Sequence, residues 1–227
     1  MISKRLRLIA SFLKEPIVFA DIGSDHAYLP CLVCSADPTA TAIAGEVNHG
    51  PFLRAQQTVH EQGLSRQIEV RKGNGLAVIE AGEVNQITIA GMGGKLITAI
   101  LEEGQDKLIG VDRLILQPNL DAHIVREWLM SDQYQVTSEA IIEEDGYIYE
   151  IIAADKVAES VALSEKELLF GPQLVRDKTT TFIKKWRGEH TKRTRLINQM
   201  KQAVHPPQDK IEQVEHERTL IEEVLAE

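Results

Sequence analysis

The chain has only two cysteines in 227 residues, Cys31 and Cys34. That rules out a disulfide framework, so the fold must rest on buried apolar side chains. The pair forms a C-x-x-C, but no second pair exists to complete a zinc site. Three residues apart on a predicted helix, both thiols are expected in the core. Seven histidines are scattered without metal-ligand spacing, and no metal is expected. Trp128 and Trp186, the two tryptophans, fall in helical patterns where packing is the expected use. No apolar run approaches the ~20 residues that span a bilayer, so no membrane partner is expected. The opening segment MISKRLRLIASFLKEP does not read as a secretory leader, because Lys4, Arg5, Arg7 and Lys14 interrupt it. Its apolar residues Ile2, Leu6, Ile9 and Leu13 instead predict an amphipathic helix. A cytoplasmic protein, monomeric or weakly dimeric, is the expectation.

Apolar residues make up 43% of the chain, enough for a sizeable core. The formal charge of -9 argues at first against a polyanion partner. Its distribution changes that reading. Residues 172–205 carry nine Lys/Arg against two acids, whereas residues 206–227 carry two against seven. A basic stripe on an acidic protein is either a polyanion site or a solvated helix face, and charge alone does not choose.

Short β-rich runs alternate with helical stretches over the first two thirds. Candidate strands are 17–20, 41–44, 68–71, 86–90 and 113–116, with helical patterns such as 50–62 and 95–103 between them. This alternation predicts βαβ units and a parallel sheet covered on both faces. Residues 134–143 and 147–153, joined by Asp145-Gly146, read as a β-hairpin. The fold class expected is α/β, a mostly parallel sheet closed by a hairpin, a plan that resembles class I (Rossmann-like) methyltransferases by fold-level analogy alone. Beyond residue 155 the β signal stops. Ser164 and Glu167 predict a capping box, and Gly171-Pro172 a break. Two helical runs separated by His205-Pro-Pro-Gln208 predict an antiparallel hairpin over 156–227. One arm offers Val175, Phe182, Trp186, Ile197, Met200 and Val204; the other offers Ile211, Val214, Ile221 and Leu225, with Arg218 intruding. The arms are expected to pair charges partly with each other, leaving the outer face of the basic arm for a partner.

Asp21-Ile-Gly23 follows the first candidate strand and opens a helix. Glycine there admits close backbone approach to a ligand. The dinucleotide fingerprint G-x-G-x-x-G is missing, which disfavours a nicotinamide oxidoreductase. A carboxylate at the strand end also repels a pyrophosphate and suits a cationic ligand, such as the ammonium of a methionine moiety. An ordinary strand-to-helix turn is the competing reading. Glu46, ending the second strand, can accept both hydroxyls of a ribose. Asn74, between Gly73 and Gly75 after the third strand, can bond an adenine edge. All three lie at carboxyl ends of parallel strands, where open α/β sheets bind ligands. The fourth strand ends in Ala90-Gly-Met-Gly-Gly94, which permits either close approach of a ligand or tight strand–helix packing. Lys95 after it can hold a phosphate. Gln117-Pro-Asn119 ends the fifth strand, and its amides, held by a proline turn, can bond an incoming base.

These strings together resemble a known family. DIGSDHAYLP (21–30), GEVNHGP (45–51), IAGMGG (89–94), LQPN (116–119) and EDGYIYE (144–150) resemble the bacterial TrmK family of tRNA (adenine-N1)-methyltransferases, which act on adenosine 22 near the D-loop. The resemblance covers essentially the whole chain. It implies S-adenosylmethionine as cofactor and tRNA as partner. It implies that the cofactor lies over Asp21, Gly23, Asp25, His26, Glu46, Val47, Asn48, Gly73, Asn74 and the Gly91-Met92 turn. Many relatives have Gly-Asp-Gly where this chain has Gly73-Asn74-Gly75; asparagine keeps the hydrogen bond and loses the charge. For the transfer itself, Asp25 is the candidate carboxylate, with Gln117 and Asn119 orienting the base. Tyr28 either stacks on the extruded base or packs on the sheet. Arg5, Arg7, Lys95, Lys184, Lys185, Arg187, Lys192, Arg193 and Arg195 are the candidate RNA contacts. A small-molecule methyltransferase, or a non-catalytic RNA-binding protein on the same fold, are the alternatives.

Overall fold

The computed structural model describes residues 3–226. Its seven strands are β1 (Val18–Ile22), β2 (Thr41–Glu46), β3 (Ile68–Lys72), β4 (Gln86–Gly93), β5 (Arg113–Leu120), β6 (Tyr134–Glu144) and β7 (Tyr147–Lys156). They form one sheet in the order β3-β2-β1-β4-β5-β7-β6. β1 to β5 are parallel, and β7 inserts antiparallel between β5 and β6. The hairpin turn falls at Asp145-Gly146, both with positive φ, as a tight turn requires.

Strand periodicity sorts the core into two layers. Leu114 and Leu116 of β5 and Ile152 and Ala154 of β7 face one layer; Ile115, Ile151 and Ala153 face the other. The first layer is covered by α4 (Gly94–Glu103) and α5 (Ala122–Ser131), the second by α1 (Lys4–Ala10), α2 (Tyr28–Ala36) and α3 (His49–Glu61). Ile9 of α1 is fully buried; Ile2, part of the predicted amphipathic pattern, lies outside the described residues. Cys31 and Cys34 are core residues of α2, and burial pushes their thiols up to about 11 and about 12, which leaves them unreactive at neutral pH. Trp128 packs on Tyr134 in the same way.

After β7 come α6 (Glu165–Phe170), α7 (Leu174–Asp177), α8 (Thr180–Lys201) and α9 (Gln208–Ala226). The Ser164–Glu167 capping box forms as expected. Phe170, Phe182 and Trp186 pack with Leu220, Ile221 and Val224, and Ile197 packs with Ile211 and Val214. Two seam residues differ from expectation. Val204 is 91% exposed, because α8 has ended at Lys201, and Val175 belongs to the separate helix α7.

The helical segment is tied to the sheet by charge as well as by apolar contact. Arg126 is fully buried, with Glu139 at 2.8 Å and Glu150 at 3.1 Å. Glu150 also receives Lys185 of α8 at 2.6 Å. Burial alone would raise Glu150, but Lys185 and Arg126 together hold it below the ordinary carboxylate range. Glu139, with Arg126 as its cationic neighbour, is raised by burial.

A candidate cofactor and acceptor site at the strand ends

The sheet reverses its winding between β1 and β4, so a crevice opens over their carboxyl ends. Asp21, the fourth residue of β1, is 5% exposed and accepts hydrogen bonds from Ser24 Oγ and Thr88 Oγ1, each at 2.6 Å. Burial is the main reason its carboxyl is raised, with Glu46 adding repulsion and the two hydroxyls, and more weakly the Arg5 guanidinium, opposing. A buried carboxylate with only neutral donors gains most from a cationic ligand. Ser24 and Thr88 were not among the residues singled out from the sequence; hydroxyls carry no pattern until the sheet places them around Asp21.

The loop after β1 is clasped to β2 by the amides of Gly23 and Ser24, both donating to the Gly45 carbonyl at 3.0 Å. Glu46, 6% exposed, accepts the Asp25 amide at 2.5 Å. That bond holds Asp25 at φ 55°, and Ala27 follows at φ 57°. Two non-glycine residues in the left-handed region cost free energy that the surrounding contacts must offset, a pattern common at ligand loops. Gly23 has φ +71°, and a Cβ there would meet Met92 Cε at 2.3 Å. The loop and the end of β4 therefore lie close, and the positive φ, more than the movable Met92 tip, is what calls for glycine. The Asp25 side chain is left 68% exposed, 3.4 Å from His26 Nε2. His26 stacks on Tyr28 with centroids 5.2 Å apart and rings 5° from parallel. Tyr28 is 48% exposed and stands outside the buried core clusters.

Val47, beyond Glu46, is exposed, as are Asn48 and Asn74. Gly73 donates to the Glu46 carbonyl at 2.9 Å, which draws the β3 end against β2. These residues line one side of the crevice, with an apolar side chain beside polar ones.

The other side differs from the sequence expectation. β4 and β5 run on to Gly93 and Leu120, so Pro118 lies within a strand and not in a turn. The ladder shifts register between Ala90 and Met92, and Pro118 pairs with Met92 at that bulge. A bulge relieves the need for an amide proton, which is why proline is tolerated there. The bulge sets up a relay of amides. Arg5 Nη1 donates to Gln117 Oε1, Gln117 Nε2 donates to Asn119 Oδ1 at 2.9 Å, and Asn119 Nδ2 donates to the Gly91 carbonyl at 2.8 Å. Gln117 is buried and Asn119 exposed. Arg5 is held by its stacking over Tyr149, 5.0 Å from the ring centroid, and by Glu144, which accepts the Lys4 and Arg5 amides at the start of α1. Sequence reading placed Arg5 among the phosphate contacts, but the fold turns it inward.

The glycines of IAGMGG divide between the two readings offered for them. Gly91 sits at φ +78° in the β4 bulge and not in a turn, whereas a Cβ on Gly94 would meet the Asp121 carbonyl at 2.3 Å. Gly94 is thus tight helix packing and Gly91 an exposed bulge residue. A groove of about 700 Å³ lies at the opposite end of the sheet, where β1, β2 and β3 begin. It contains none of the residues above, and its Arg71 is engaged by Glu69 and Glu83.

Residues 19–224 match the model of the TrmK family, described as tRNA (adenine(22)-N(1))-methyltransferase. The chain belongs to this family. It is 44% identical to the Bacillus subtilis (strain 168) tRNA (adenine(22)-N(1))-methyltransferase, over 99% of this chain and 97% of that protein. The crystal structure of the B. subtilis m1A22 tRNA methyltransferase TrmK superposes with a TM-score of 0.91 at 42% identity, covering 99% of each chain. TrmK of M. capricolum, solved with the cofactor product S-adenosyl-homocysteine, gives 0.86 at 28% identity, over 100% of this chain and 98% of that one.

The candidate RNA contacts separate by environment. Lys185 and Arg193 are 24% and 16% exposed and engaged with Glu150 and with Glu189 and Glu217. Lys184 and Lys192, 60% and 74% exposed, pair with Glu143 and Glu189. Arg7, Lys95, Arg187 and Arg195 form no ion pair among the described residues. The basic arm is therefore more neutralised than its composition suggested, because acids of β6, β7 and α9 converge on it.

Proposed function

We propose that this protein transfers a methyl group from S-adenosylmethionine to N1 of adenosine 22 in tRNA. The observation that carries the reading is one crevice with acids on one side and an amide relay on the other. Asp21 and Glu46 close the β1 and β2 ends, and Gln117 and Asn119 close the β5 end over the β4 bulge at Gly91.

The residues present fit this cofactor. Asp21, raised by burial with neutral donors around it, suits the ammonium of the methionine part. Glu46 is placed for the ribose hydroxyls, and Asn74 with exposed Val47 for the adenine edge and face. When bound, the cofactor supplies an electrophilic sulfonium methyl. Adenine N1 already carries the lone pair that attacks it, so no base need remove a proton first. The chain's task is then positioning, for which well-oriented groups are worth roughly 7–11 kcal/mol. Asn119 and Gln117 orient the base, the exposed Asp25 carboxylate stabilises the cationic product, and Tyr28 offers a stacking face. Arg7, Lys95, Arg187 and Arg195, with the weakly paired Lys184 and Lys192, hold phosphates. Exposed ion pairs are worth only about 0–1 kcal/mol, so a phosphate displaces their acids readily. Lys185 and Arg193 serve the fold.

Labelling total tRNA with methyl-labelled cofactor and mapping the modified nucleotide tests the proposal. Label at N1 of adenosine 22 is expected. Label at another atom or on another position overturns the specificity, and no label on any tRNA overturns the activity.

A further inference from the structure

A second concavity, about 460 Å³, opens beside the acceptor end of the crevice. It runs between the end of β5, the β6–β7 turn and the middle of α8, and Asn119 belongs both to its lining and to the amide relay. Its lining brings together two exposed large side chains, Leu120 at 71% and Tyr147 at 69%, and apolar surface gathered in a groove, unlike singly scattered residues, marks a binding surface. Lys184 and Lys192 line it from α8, each in an exposed ion pair, with Glu143 and Glu189, that a phosphate can displace; Asp121, Glu150 and Glu189 are its acids, and Lys185 and Arg193 engage the last two. Between Lys184 and Lys192 lies Gly188, in the interior of a 22-residue helix. Glycine is unfavourable there, and usually marks a close approach. Yet a Cβ on Gly188 would meet nothing within 4 Å. Packing within the chain does not explain the glycine, and the groove beside it does.

We propose that this groove holds the single-stranded RNA segment adjoining the target adenosine, with a neighbouring base on Tyr147 and its phosphates at Lys184 and Lys192. The inference rests on the tRNA reading above. Extrusion of one base from a stack bends the flanking backbone outward. The groove begins at Asn119, so a strand leaving the acceptor position enters it directly. Tyr147 provides a sequence-tolerant stacking face, and the two lysines provide cationic groups for the backbone. Gly188 leaves room for the sugar-phosphate chain against the helix.

Gly188→Leu tests this most cleanly, because leucine favours the helix and fills the groove. The variant is expected to melt no lower than the parent and to bind S-adenosylmethionine within about twofold of it, while KM for tRNA rises about tenfold or more. Tyr147→Ala should raise KM similarly and Tyr147→Phe should restore it, which keeps the test decisive if Gly188→Leu folds poorly. A parent that methylates adenosine 22, with both Gly188→Leu and Tyr147→Ala at parental KM, overturns the groove and leaves the proposed function standing. A parent that methylates no tRNA overturns both.

Discussion

Arg5 donates and cannot accept, and that alone sets the polarity of the relay. Gln117 must turn its oxygen toward the guanidinium, so its amide nitrogen faces Asn119, whose own nitrogen then faces Gly91. Arg5→Met is expected to lower kcat on the order of tenfold to hundredfold through misplacement of Asn119. Affinity for tRNA, and its salt dependence, should stay at parental values in filter binding. Weakened binding with a shallower salt slope would instead make Arg5 a phosphate contact. Asp21 gives a residue-level pH effect. Its carboxyl is raised in the free protein, and a cationic ligand would lower it. Cofactor binding should therefore release a proton between the ligand-lowered value and the raised one, and affinity should fall as pH descends through the raised value. Titration calorimetry in buffers of different ionisation enthalpy reads the proton directly, and pH-independent affinity over that range would refute the assignment. Asp21 and Glu46 were legible from the sequence because strand ends can be located from local patterns. Ser24, Thr88 and the inward turn of Arg5 were not, because nothing local says which distant side chain a hydroxyl or guanidinium will meet.

At the scale of elements, α4 is the part whose position is least negotiable. Its first residue packs against the β5 end, where a Cβ would meet a carbonyl oxygen at 2.3 Å. Backbone cannot yield there as a flexible side chain would, so Gly94→Ala should destabilise by about 1–3 kcal/mol, the range for overpacking. Because α4 follows directly on the bulged end of β4 that carries Gly91, cofactor affinity should fall with stability. A denaturation curve unchanged from the parent would show that the contact is slack. The extension of β4 and β5 through the motif residues was hidden in the sequence, since glycine and proline ordinarily end strands. The bulge between Ala90 and Met92 lets both strands continue past them.

The whole molecule is joined across its two parts by one buried charge network. Arg126 sits between Glu139 and Glu150, and Lys185 reaches Glu150 from α8. Removing one partner strands buried charge, so Arg126→Met should cost about 3–5 kcal/mol near neutral pH. The deficit should shrink toward about pH 5 as the stranded carboxylates take up protons, which urea melts at the two pH values would show; an equal deficit at both would exclude the network as its source. In the parent the two acids act oppositely. Glu150, depressed below 4.5, stabilises above that value and loses its contribution as pH falls through its lowered pKa. Glu139, raised above 4.5, contributes only at low pH and loses that contribution as pH rises through its raised pKa.

The sequence by itself determined the alternation of strands and helices, the hairpin at Asp145-Gly146, the helical tail, and the acids at the first two strand ends. Each is a matter of near neighbours, of periods 2 and 3.6 and of turn chemistry, which a chain carries locally. Tertiary structure alone decided what those residues face. It turned Arg5 into the crevice, set Pro118 at a bulge, spent Lys185 on the buried Glu150 and Arg193 on the half-buried Glu189 and Glu217, and opened a groove beside Gly188. Those outcomes depend on contacts between residues tens to more than a hundred positions apart, such as Arg5 with Gln117 and Lys185 with Glu150, and no local pattern encodes which partner arrives.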